Sequence, residues 1–253
     1  MAHDGTGGWR LPSFSLPFAV PRSTLAHCAV DLVAEDFRRE HHRPRPSVSS
    51  IDRDALRRAM RRTRRALPQQ DRRIAARRFT LIADRAHLLK PRSRIGVYHA
   101  YGAEADLTHL IHRAWQRGCE LYLPVITHRR SSRMEFFRFD PRTPLTKNAF
   151  GIPEPPADAA ARIAVLHLDI IFMPLVAFDP FGTRLGSGAG FYDRCLQHLH
   201  AARVWRRPKL IGVAYAQQQV ARLDPSPWDV PMDGVITQHA FKRFPTQRLG
   251  AAP

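Results

Sequence analysis

The sequence predicts an α/β protein, a three-layer sandwich with a mostly parallel central sheet. Three observations carry that prediction. Short apolar runs alternate along the chain with segments of helical period. One run, Asp169–Val176, is apolar almost throughout, as in a strand covered on both faces. A glycine-rich loop follows it and opens a helix, so strands and helices alternate as they do around a parallel sheet.

Residues 1–48 show no sustained period and end in His41-His42-Arg43-Pro44-Arg45-Pro46, which reads as a linker. They are expected to form a loosely ordered extension, with a short helix over Thr24–Arg39 as the one element the pattern allows. The folded domain is expected over 49–245, followed by a tail at 246–253. Ser49 with Asp52 three residues on gives a start like a capping box. Leu56, Met60, Thr63 and Leu67 then recur at helical spacing and predict one buried stripe, with Arg53, Arg57, Arg61 and Arg64 or Arg65 on another face. Pro68 stops this helix, and a second is predicted from about Gln70 to Leu88. Arg94–Tyr98 reads as a strand, Leu107–Arg117 as a helix stopped by Gly118, and Glu120–Val125 and Glu135–Phe139 as strands. After Asp169–Val176 come a helix from about Gly190 to Ala202, a strand at Lys209–Ala214, a helical piece at Gln217–Leu223 and a last strand near Val235.

Composition bounds the function. The formal charge is +18, and residues 51–100 alone carry +11, much of it in the arginine run from Arg57 to Arg65. Such a run attracts nucleic acid, an acidic membrane or phosphorylated small molecules, and charge does not choose among them. Cys28, Cys119 and Cys195 are too far apart for a zinc site or a dense disulfide framework. No apolar run approaches the roughly 18 residues that span a bilayer, and Pro12, Pro17 and Pro21 interrupt the mildly apolar N-terminal stretch. A soluble, cytoplasmic protein with no membrane partner is expected. His109 and His112 share a helix face but have no third ligand in view, so they read as a surface pair.

The chemistry points to Phe178–Arg194. Gly186, Gly188 and Gly190 let the backbone bend and approach an anion without Cβ obstruction, and the helix that follows offers free N–H groups. Arg184 adds a fork for phosphate oxygens, and Asp193 a hard oxygen ligand suited to Mg²⁺. A lone Gly-x-Gly-x-Gly is also compatible with a plain turn capping a helix. Neither the Walker ending nor the Rossmann spacing is present.

The longer string is more specific. Ala177-Phe178-Asp179 followed by Arg184-Leu185-Gly186-Ser187-Gly188-Ala189-Gly190-Phe191-Tyr192-Asp193 resembles the signature of the 5-formyltetrahydrofolate cyclo-ligase family. Arg53-Asp54-Ala55-Leu56-Arg57, Glu104-Ala105-Asp106-Leu107, Gly151-Ile152-Pro153-Glu154-Pro155 and Leu210–Tyr215 with Trp228-Asp229 resemble further family segments in the same order, over roughly residues 50–240. Arg53 stands in place of a usual Lys, Phe191 of a Tyr, Leu175 of a Gly and Leu107 of a Thr.

The resemblance implies a sugar-phosphate-isomerase-like, Rossmann-related sheet and an ATP- and Mg²⁺-dependent enzyme. Such an enzyme closes 5-formyltetrahydrofolate, polyglutamylated or not, into 5,10-methenyltetrahydrofolate through a phosphorylated formyl group. It further implies that Arg53, Arg57 and the loop Arg184, Leu185, Gly186, Ser187, Gly188, Ala189, Gly190, Phe191 and Tyr192 hold ATP. Arg184 and Tyr192 are then catalytic, His99, Glu104 and Phe191 contact folate, and Asp193 and Asp229 hold Mg²⁺. A monomer without specific nucleic-acid binding is expected. The competing readings are a basic RNA-binding protein, supported by the arginine run, and a relative with a different ATP-dependent substrate.

Overall fold

The computed structural model describes residues 52–128, 133–149, 151–201 and 208–245. The expected extension at 1–48 with its helix, the residues 49–51 at the expected helix start, and the tail at 246–253 lie outside them.

Helix α1 (Arg53–Ala66) starts on Asp52, whose carboxylate accepts from the Asp54 N–H at 2.9 Å, so the cap is Asp52 itself. Leu67 turns extended ahead of Pro68, and α2 (Gln69–Arg85) follows at once. The chain continues through β1 (Arg94–Gly96), α3 (Thr108–Gln116), β2 (Glu120–His128), β3 (Arg133–Phe139), β4 (Thr146–Lys147), β5 (Pro153–Glu154) and β6 (Arg162–Ile163). It closes with β7 (Ile170–Pro174), β8 (Ala177–Phe178), β9 (Arg184–Leu185), α4 (Phe191–Ala201), β10 (Lys209–Val213), β11 (Gly234–Ile236) and β12 (Phe241–Arg243). Gly118 ends α3 as expected, at φ +74°, a conformation that costs a residue without Cβ nothing.

The main sheet has eight strands in the order β12-β11-β10-β7-β1-β2-β3-β6. From β11 to β2 every pairing is parallel, and antiparallel strands close both edges, so the expected mostly parallel sheet is present. Alternate residues of β7 serve opposite faces. Ile170 and Phe172 join a core with Phe79 of α2 and Leu110 of α3, while Ile171 and Met173 join one with Leu196 of α4. Helices thus cover both faces, which explains why β7 is apolar throughout.

Helix α1 departs from expectation. Leu56, Met60, Thr63 and Leu67 are only half-buried, and the most buried residue of the helix is Arg64. The reason is its partner. Leu56 and Met60 pack on Ala177 of β8, Leu185 of β9 and Leu223, so α1 lies over the small β8–β9 hairpin and the loops beside it rather than over the main sheet. Loops present carbonyl oxygens, and arginines satisfy them. The predicted helix at Gln217–Leu223 is a single 3₁₀ turn, Ala216–Gln218. Gln218 is committed elsewhere: its side-chain amide accepts from the Tyr215 N–H and donates to the carbonyls of Leu175 and Val176.

Strand order also fixes where a ligand site can form. From β1 the chain moves outward to β2 and β3, then returns to place β7 on the other side of β1. The carboxyl ends of β1 and β7 therefore flank a topological switch point, where open α/β sheets bind ligands.

Candidate active site

Two cavities are present among the described residues, and the second draws residues from the loop after β1. One, of about 410 Å³, is lined by Arg53 and Arg57 of α1, Gly188 of the glycine loop, Asp193 of α4, and Ser226 and Asp229 before β11. The other, of about 490 Å³, is lined by His99 and Glu104 after β1, Tyr215 after β10, and Arg72 and Arg73 of α2.

The first cavity is built around the glycine loop. The β8–β9 hairpin that leads into it is anchored by the buried Asp179, whose carboxylate accepts from the N–H groups of Phe181, Thr183 and Leu223 at 2.9–3.1 Å. Gly188 takes φ +109°, and a Cβ there would lie 3.7 Å from the Arg57 guanidinium. That conformation excludes other side chains. Arg57 Nε donates to the Gly186 carbonyl at 3.1 Å, and Arg61 donates to the Ser187 carbonyl at 2.8 Å. The loop is thus pinned by α1 while Gly186, Gly188 and Gly190 face the cavity. Ser187 and Ala189 are exposed beside them.

Four residues differ from expectation, one of them Tyr192, which, expected to hold ATP, packs on the core under α4 and lines neither cavity. Arg184, expected to fork onto phosphate, is 4% exposed and is not among the residues lining the cavity. It donates to Asp193 Oδ1 at 2.5 Å and to the Val230 carbonyl, so it acts on the site by holding Asp193 in place. Leu185, expected in the ATP loop, is buried among Ala177 and Leu223. Phe191, expected against both ligands, packs on the core under α4. These side chains come from β9 and the start of α4 and point inward, while the glycines of the turn between them line the cavity.

In the second cavity, burial pushes the Glu104 carboxyl above its ordinary range, opposed by the Tyr101 N–H and by Arg64. Arg64 lies 4.0 Å from Glu104 Oε1 and donates to the Leu175 carbonyl at 3.3 Å, so it bridges the loops after β1 and β7. His99 stacks edge-on against Phe139 with its Nε2 buried and without a partner among the described residues, and burial lowers its pKa. The Tyr192 hydroxyl is also buried without a partner among the described residues. Burial first, and the Glu104 charge second, raise its pKa far enough to keep it a neutral donor.

A sequence profile of the 5-formyltetrahydrofolate cyclo-ligase family matches residues 49–238. The chain belongs to this family. It is 39% identical over 144 residues to the 5-formyltetrahydrofolate cyclo-ligase of Haemophilus influenzae, a stretch covering 56% of this chain and 74% of that protein. It is 36% identical over 145 residues to the Escherichia coli enzyme of the same name, covering 56% and 76%. Its fold matches the NMR structure of Aquifex aeolicus 5,10-methenyltetrahydrofolate synthetase with a TM-score of 0.64 and 29% identity, over 80% of this chain and 96% of that one. It is thus an enzyme, a ligase of folate one-carbon metabolism. Among the described residues no helix is long and apolar enough to cross a membrane.

Mg²⁺ is expected at Asp193 and Asp229, and the donor set of this pair suits that ion. Asp193 and Asp229 share the first cavity. Each uses one oxygen on an arginine, Asp193 on Arg184 and Asp229 on Arg53 at 2.8 Å, and no hydrogen bond from the described residues reaches the second oxygen. Among the described residues no group of three acidic, histidine or cysteine side chains could enclose a metal alone. An ion that takes one or two carboxylates and completes its shell with phosphate and water suits such a pair. Sequence reasoning missed Arg64, which reads there as one more surface arginine, and Ser226, which accepts from Arg53 at 2.5 Å. Nothing in one strand's or helix's period marks either residue.

Proposed function

We propose that this cyclo-ligase converts 5-formyltetrahydrofolate and ATP into 5,10-methenyltetrahydrofolate, ADP and phosphate. The observation that carries the proposal is the pairing of two cavities across one helix. Arg53 and Arg57 of α1 face a glycine-loop cavity, and Arg64 of the same helix reaches Glu104 in the other.

The formyl oxygen on N5 is an amide oxygen, a poor nucleophile attached through a bond that does not break unaided. It attacks the γ-phosphorus and ADP departs, leaving a phosphorylated imine. N10 then bonds to the activated carbon, the carbon–oxygen bond breaks, phosphate leaves and N10 gives up its proton. The residues' work is positioning and charge neutralisation. Arg53, Arg57 and the N–H groups of the glycine loop hold the triphosphate. Asp193 and Asp229 hold Mg²⁺, which when bound neutralises phosphate charge. Glu104 and His99 orient the folate ring, and the neutral Tyr192 hydroxyl donates toward oxygen developing charge.

The test is direct. Purified protein with 5-formyltetrahydrofolate, ATP and Mg²⁺ should develop the near-ultraviolet absorbance of the methenyl product, with one ADP released per ring closed. Omission of any of the three should abolish it. ATP turnover without methenyl absorbance would instead indicate a relative with another substrate.

A further inference from the structure

The second cavity holds cations that the reaction above does not use. Arg72 is half-buried, yet its Nε is buried and without a hydrogen-bond partner among the described residues. Neither Arg72 nor its neighbour Arg73 has an ion-pair partner among the described residues, although both line the cavity. The other site arginines differ in having partners, although Arg64, like Arg72, has a buried Nε without one among the described residues. Arg53, Arg57, Arg61 and Arg64 each bond to a carboxylate or carbonyl. A guanidinium that lines a cavity without an ion-pair partner leaves charge-assisted hydrogen bonds unmade, which a ligand oxygen in the cavity would supply.

The chemistry of that ligand follows from the group. A guanidinium offers two parallel N–H donors that match a carboxylate bidentately. Phosphate is served by the first cavity, with its own arginines and glycine loop. The cavity's lining residues also differ in charge. Glu104, on the loop after β1, repels a carboxylate, whereas Arg72, on α2, attracts one. Asp106, which also lines the cavity, accepts from the Thr108 N–H and hydroxyl through its Oδ1.

We propose that Arg72, supported by Arg73, forms a carboxylate subsite that takes the glutamate carboxylates of the folate substrate and so sets which end of the folate enters toward Glu104. This rests on the folate reading above and adds to it the residue that recognises the tail.

The experiment compares 5-formyltetrahydrofolate as mono- and triglutamate with a 5-formyltetrahydropteroyl amide, which ends at the aminobenzoyl group and carries no carboxylate. KM and kcat are measured for wild type, Arg72→Gln, Arg72→Lys and Arg77→Gln, the last removing an exposed charge from α2. Arg72→Gln should raise KM about tenfold for the glutamate-bearing substrates, the loss expected for one charge-assisted bond. KM for the amide should not change, nor should kcat for any substrate. Arg72→Lys should fall between, and Arg77→Gln should match wild type. The ratio of KM values is insensitive to a partly unfolded variant, which lowers turnover of all substrates alike. Equal KM increases for amide and glutamates, unchanged KM values throughout, or an equal effect of Arg77→Gln would each overturn the subsite while leaving the cyclo-ligase reaction standing. Failure of wild type to close any of these folates would overturn the reaction itself, and the subsite with it.

Discussion

Arg64 and Glu104 face each other at 4.0 Å between the loops that leave β1 and β7. Each is burdened by burial and relieved by the other. Burial raises the Glu104 pKa and lowers that of Arg64, and each partner's charge opposes the shift. Glu104 therefore titrates above the ordinary carboxylate range even with its cation in place. Lowering the pH should protonate it early, so kcat/KM should fall on the acid side through that raised pKa. Arg64→Met removes the cation that favours the carboxylate, so the acid limb should move to higher pH while the alkaline limb stays. A pH profile of kcat/KM for both proteins checks this, and an unmoved acid limb would mean the pair does not control the folate side.

The arginine run separates into residues with different expected roles. Arg53 and Arg57 line the first cavity, whereas Arg58 and Arg62 are exposed. Arg53→Ala or Arg57→Ala should each lower kcat/KM for ATP about 10- to 100-fold, the loss of one charge-assisted bond to phosphate. The loss should persist at high salt. Arg58→Ala and Arg62→Ala should cost little, and that little should vanish as salt screens it. Equal, salt-sensitive losses in all four would mean a diffuse field.

Legibility followed distance along the chain. The parallel sheet was readable because β7 and α4 each carry their period within a few residues, and the glycine loop because its residues are contiguous. What lies opposite each element was not readable. Arg53 meets Asp229 across 176 positions, and Arg64 meets the Leu175 carbonyl across 111. Helical spacing placed Leu56 and Met60 on one stripe, yet could not tell that α1 rests on a short hairpin and loops, whose free carbonyls a buried arginine satisfies. Arg184 was misread for the same reason. A basic residue beside a phosphate-type loop suggests a ligand contact, and only the folded chain puts Asp193 and the Val230 carbonyl around it. The two- and three-residue strands β4, β5, β6, β8, β9 and β12 are too short to show a period at all.

The two carboxylates proposed for Mg²⁺ should behave differently when neutralised. Asp193 is the counter-ion of an arginine whose side chain is 3% exposed, while Asp229 pairs with one that is 33% exposed. Asp193→Asn leaves a buried cation without its partner and should cost roughly 3 kcal/mol of stability, in addition to raising the Mg²⁺ requirement. Asp229→Asn should raise the Mg²⁺ requirement with little loss of stability. Denaturant melts and Mg²⁺ titrations of turnover on the two variants separate these effects. Matching Mg²⁺ dependence to wild type in Asp229→Asn would remove that residue from the metal site.

Tyr192 tests whether a buried hydroxyl that feels the Glu104 and Arg184 charges is catalytic. Its hydroxyl is buried with no acceptor or donor among the described residues, so Tyr192→Phe breaks no hydrogen bond and removes an unsatisfied polar group. Thermal stability should stay level or rise slightly. If the hydroxyl donates to the oxygen that gains charge during phosphoryl transfer, kcat should fall about tenfold while KM for ATP and folate holds, because the bond exists only in the transition state. The raised pKa makes the same group a donor across the working pH range, so the loss should not vary with pH. Unchanged kcat alongside unchanged or higher stability would show that the hydroxyl is a packing feature of α4, and the donor to the developing charge would then be sought among the N–H groups of Gly188 and Gly190.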